Sequence, residues 1–153
     1  MRKTVKVLVA VFMLGLVASL TSCMEMAEAV VGSMTQAAFM YDVTYNAKTA
    51  SGKKVEFKFN NSNLSGRFKL NVWVNGKAVD NDGYTWMLEG VYQDGKKTDI
   101  DNVIIYQVTP SENDSDTKIA TLKADSAAPT SLTVEETFKI GSETISKGTV
   151  FNR

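Results

Sequence analysis

The chain has 153 residues, with 17 basic and 17 acidic side chains, one cysteine and no histidine. Without histidine there is no imidazole base, no Ser-His or Cys-His nucleophile pair and no His-ligated metal. An enzyme is therefore not expected, and no catalytic residue, cofactor or metal ligand is assigned.

In chain order, Arg2, Lys3 and Lys6 precede an apolar segment, Val7 to Ala18. This is the charged and apolar layout of a secretory leader. It is too short for a spanning helix, which needs about 20 apolar residues. Leu20-Thr21-Ser22-Cys23 follows and resembles the lipobox of bacterial lipoproteins. The resemblance implies cleavage before Cys23, acylation (palmitate among the chains) of its thiol and new amino group, and attachment to a membrane through that lipid. It leaves no thiolate for catalysis. Met24 replaces the aspartate that retains enterobacterial lipoproteins in the inner membrane, so the implied address is the outer membrane of a bacterial cell envelope. Glu25 and Glu28 are sparser than the acidic export signal of Bacteroides-like lipoproteins, so the implied address stops short of periplasm or cell surface. Asp125-Ser126-Ala127 resembles the short O-glycosylation site of such envelope proteins.

Three units are expected: a leader over 1–22, a tether or short helix over 23–37, and one domain over 38–153. Removing the leader leaves 131 residues, with 14 basic against 17 acidic side chains and a net charge of −3. Such a length buries roughly two-thirds of its unfolded surface without disulfides or metal. The net charge leaves no overall footprint for nucleic acid or anionic lipid.

From Tyr41 the apolar period becomes two, the pattern of a half-buried strand. Tyr41-Val43-Tyr45 and Val55-Phe57-Phe59 flank a turn at Ser51-Gly52, and Asn60 to Gly66 reads as a polar loop. Phe68-Leu70-Val72-Val74 ends at Asn75-Gly76, a strong hairpin signal. Tyr84 to Tyr92 follows, with Tyr84, Trp86, Leu88 and Tyr92 on one face, and then the turn Asp94-Gly95. Asn102 to Val108 is apolar on both faces, as in a fully covered strand. Beyond the solvated loop Ser111 to Asp116, strands are expected at Lys118–Lys123, Leu132–Ile140 and Glu143–Phe151. The expected fold is an all-β antiparallel meander of about eight strands with a short N-terminal helix or tether. The two-faced run favours a β-sandwich, and an up-and-down barrel is the alternative.

Asp80, Asp82, Gly83 and Glu89 match part of a calcium-loop spacing, but Ala78 stands at the first ligand position and the flanks are strand-like. A polar loop followed by an outward Glu89 is the simpler reading. Seventeen acids always contain some pair, so nothing points to a glycosidase dyad. The better lead is Trp73, which alternation places opposite the apolar face of its strand, beside Lys69 and Asn71. An aromatic among polar neighbours suits stacking on a glycan or contact with a protein, unless a loop or the N-terminal segment covers it. The expectation is a lipid-anchored envelope protein acting as a binding module for a glycan or protein partner through Trp73, Lys69 and Asn71. The alternative is a structural or inhibitory lipoprotein, a complex subunit or a lysozyme or protease inhibitor.

Overall fold

The computed structural model describes residues 35–64, 67–79, 83–108 and 116–153. The expected leader, Cys23 and Asp80 to Asp82 lie outside these residues. Helix α1 covers 35–40. The strands are β1 (Val43–Lys48), β2 (Lys54–Leu64), β3 (Arg67–Val74), β4 (Lys77–Ala78), β5 (Tyr84–Gln93), β6 (Lys96–Gln107), β7 (Thr117–Ala124), β8 (Ser131–Val134), β9 (Phe138–Ile140), β10 (Glu143–Ile145) and β11 (Val150–Asn152).

The chain is all-β and antiparallel, and of the two architectures it forms the barrel. Eight strands follow one another as β1-β2-β3-β5-β6-β7-β8-β11, and β11 returns to β1 through Asn46 and Asn152. The run that favours a sandwich lies in the barrel wall. Val103 and Ile105 face the core, while Ile104 points outward between Met87 and Thr121 and is still buried.

The turns follow from their residues. Gly52, Asn75-Gly76 and Asp94-Gly95 all adopt positive φ, the left-handed region that glycine and asparagine tolerate best. Alternation then sends Tyr45, Phe57, Phe59, Leu70, Val72 and Trp86 inward. An eight-stranded barrel is just wide enough for side chains to fill, and aromatic rings fill this one. Trp86 meets Phe59 at 5.2 Å and Phe68 at 5.1 Å, Tyr45 meets Phe59 at 5.5 Å, and Phe57 stacks on Phe151 at 4.4 Å between centroids. Trp86 Nε1 donates to the Asn60 carbonyl at 3.2 Å, and the Tyr45 hydroxyl donates to the Pro129 carbonyl at 2.7 Å. Both of these aromatic polar tips thus have a partner.

Each end of the barrel is closed by chain. At the start of β1, Ala37 and Met40 of α1 join the core. The Gln36 amide donates to the Asp101 carbonyl and accepts from the Asp101 N–H, both at 2.8 Å. The packed domain thus reaches back at least to Gln36, inside the stretch expected as tether or short helix. At the far end of β1 the hairpin β9–β10 inserts Phe138, Ile140 and Ile145.

Three local expectations change. The expected strands Leu132–Ile140 and Glu143–Phe151 each divide, because the chain leaves the wall at Glu135 to build β9–β10 and re-enters at Gly148, which has φ +81°. The Asn60–Gly66 stretch extends β2 as far as Leu64, with a register shift between Phe59 and Asn63. Tyr92 does not join the core. A bulge between Gly90 and Tyr92 breaks the alternation, and Tyr92 is 66% exposed.

The closure by β9–β10 is charged at one point. Buried Glu143 pairs with Lys53 of the β1–β2 turn and accepts from Ser51 at 3.4 Å. The hydrogen bond from Lys53, aided by its charge, outweighs burial and holds this carboxyl below the usual glutamate value. A depressed carboxylate contributes stability above its unfolded pKa and loses it as pH falls through the folded value. On Tyr45 burial prevails, pushing its hydroxyl up to about 12, with Arg153 opposing and Asp125 adding. That contribution is full below the ordinary tyrosine pKa near ~10 and is lost as pH rises through the folded value. Thermal unfolding of wild type and Glu143→Gln is expected to differ most near neutral pH and to converge in acid. An unchanged gap at low pH would contradict the Lys53–Glu143 account.

Candidate functional site

The filled interior directs attention to the outside of the wall. On β3, Lys69, Asn71 and Trp73 alternate with the inward Leu70, Val72 and Val74, and all three are half-buried on the outer face. The sequence-based placement of these three residues on one face holds, and they run along about 13 Å of strand.

Register supplies their neighbours. Trp73 lies between Glu56 of β2 and Ala78 of β4. On the Ala78 flank the opposing side chain is a methyl group. Glu56 is held by Lys54 at 2.8 Å and lies opposite Asn46 of β1, which in turn faces Asn152 of β11. One step along, Asn71 lies opposite Lys58, and its side-chain oxygen accepts from the Asn60 amide at 3.1 Å. Lys58 approaches Asp42 at 3.8 Å. The surface is an indole in a lattice of amides and paired charges, able to stack on a flat apolar ring face while polar groups meet hydroxyls or charges around it. Glu56, Asn46 and Lys58 belong to it and escape sequence reading, since they join Trp73 only through strand pairing. The sole signal in the sequence is their own outward alternation.

The other expected constellations resolve differently. Glu89 is exposed on the outer face of β5, 3.4 Å from Lys118, so the partial calcium spacing yields an ion pair at its glutamate. Asp116 pairs with Arg67, whose guanidinium sits 3.7 Å over the Tyr106 ring. Burial works to raise the Asp125 carboxyl, but bonds from Thr130 and Ser131 outweigh it and bring it below the usual aspartate value. Asp125 thereby ties its own loop, and Ser126 donates to the Ala128 carbonyl at 2.9 Å. Among the described residues, no three Cys, Asp or Glu side chains gather to hold a metal ion.

Comparison with protein-family models, with curated proteins and with solved structures found no match to this chain.

Proposed function

We propose that the chain is a lipid-anchored envelope protein, non-enzymatic, that binds a glycan or protein partner on the outer wall around Trp73. The observation that carries the reading is the half-buried Trp73 on a polar face of a barrel whose inside is occupied by its own aromatic rings. A half-buried indole on the outer face, directed away from the core, is the group most suited to a contact surface. Lys69 and Asn71 extend the contact along β3, and Glu56 and Lys58 widen it across β2. The lipobox-like Leu20-Thr21-Ser22-Cys23 supports attachment through acyl chains on Cys23, with the outer membrane as the address.

The test is a binding screen of envelope polysaccharides and proteins with wild type and Trp73→Ala in parallel. Removing an aromatic anchor is expected to weaken binding by about 2 kcal/mol or more, the scale of a tryptophan hot spot. Because Trp73 lies outside the core, the melting temperature should stay nearly unchanged. Full binding by Trp73→Ala would move the site elsewhere.

A further inference from the structure

The charge of this chain is divided unevenly along its length. Over residues 43–78, which form β1 to β4, there are seven basic side chains and one acidic, Glu56. Over 79–153 there are seven basic and thirteen acidic. The near-neutral total conceals a wall of net +6 and a remainder of net −6.

Part of that charge is neutralised within the fold, where Lys53 pairs with Glu143, Arg67 pairs with Asp116 and Lys58 approaches Asp42, and much of the rest lies around the indole. β1, β2, β3 and β4 lie side by side, and Lys48, Lys54, Lys58 and Lys69 share the outer face with Trp73. Lys48 and Lys54 face each other directly across β1 and β2. Lys54 and Lys58 flank Glu56, one register step above and below Trp73, on the adjoining strand, about 8 Å away. Like charges placed opposite one another disfavour the isolated sheet; Glu56 meets Lys54 at 2.8 Å, and a polyanion laid across the pair would also meet Lys48. The aromatic ring offers what a simple charge patch lacks, a surface for the apolar face of a sugar ring.

We propose that the ligand of the Trp73 face is an anionic glycan, its carboxylate or phosphate groups meeting Lys48, Lys54, Lys58 and Lys69 while one sugar stacks on Trp73. This rests on the Trp73 face being the contact surface, and adds the charge of what it contacts.

The test uses the full chain and immobilised polysaccharides: polygalacturonate, the same polymer with its carboxyls methyl-esterified, and a phosphodiester-linked glycan. Double-stranded DNA, its bases paired and stacked out of reach, serves as a plain polyanion. Binding to at least one acidic glycan is expected, falling about tenfold or more on esterification and again between about 0.05 and 0.5 M salt. The carboxylate and phosphate arms tell which acid group is preferred. Lys58→Gln/Lys69→Gln is expected to weaken the acidic arm and flatten its salt dependence, and Trp73→Ala to weaken glycan far more than DNA. Both sets of side chains lie on the outer wall, and unchanged melting temperatures verify folding. Equal, Trp73-dependent binding of the acidic and esterified polymers would overturn the anionic ligand and leave the Trp73 site standing. Equal binding of DNA and glycan, indifferent to Trp73, would overturn the glycan. Binding to none of the probes would overturn this inference, while the screen with Trp73→Ala continues to judge the site itself.

Discussion

Trp86→Ala is expected to cost about 3–5 kcal/mol of folding stability, the range for truncating a large aromatic in a packed core. Trp86 is fully buried, packs between Phe59 and Phe68, and meets Tyr41 at 6.1 Å. Its truncation leaves a cavity in the middle of the barrel and strips the Asn60 carbonyl of its indole donor. Against a typical total of about 5–15 kcal/mol, that is a large share. The urea midpoint should fall steeply, with little change in slope if the transition stays two-state. The contrast with Trp73→Ala is the informative part: the same substitution on the outer face should shift the midpoint only slightly. Comparable losses at both positions would contradict the inside–outside assignment of the two tryptophans.

Cys23→Ala is expected to move the protein from the membrane fraction to the soluble one. Each buried methylene contributes about 0.8 kcal/mol, so a single chain binds marginally while two or more anchor stably. Among the described residues no helix is long and apolar enough to cross a bilayer. The proposed anchor is the acyl chains on Cys23. Mass spectrometry of the wild type should show residue 23 at the amino terminus carrying acyl mass, and sedimentation should leave the variant in the supernatant. An unmodified wild type, or a variant that still pellets with membranes, would remove the anchor from the account.

Much of the barrel is legible in the sequence because its signals are local. Alternation around Phe57, Leu70 and Trp86 assigns inward faces, and Asn75-Gly76 and Asp94-Gly95 mark hairpins that form where expected. Closure is not legible. It depends on a short β11 meeting β1 through a single register pair, 106 residues apart in the chain at Asn46 and Asn152. The break in Leu132–Ile140 is hidden for a similar reason: Phe138 and Ile140 continue an apolar alternation although they line a different sheet. Tyr92 misleads because one bulge reverses a face without altering composition.

The candidate site divides in the same way. Lys69, Asn71 and Trp73 share a strand, so their common face follows from alternation alone. Glu56, Asn46 and Lys58 enter by pairing across strands. The charge division is present in the sequence from the start, but a near-balanced total hides it. It gains meaning only when β1 to β4 become one continuous wall.

The most direct measurement is tryptophan emission and acrylamide quenching while the full chain is titrated with envelope glycans and proteins. The chain holds two tryptophans, one fully buried and one half-buried. The account predicts that a bound partner shifts the Trp73 component to the blue and shields it from acrylamide, while the Trp86 component stays unchanged. Saturable binding that leaves Trp73 as open to acrylamide as before would contradict it.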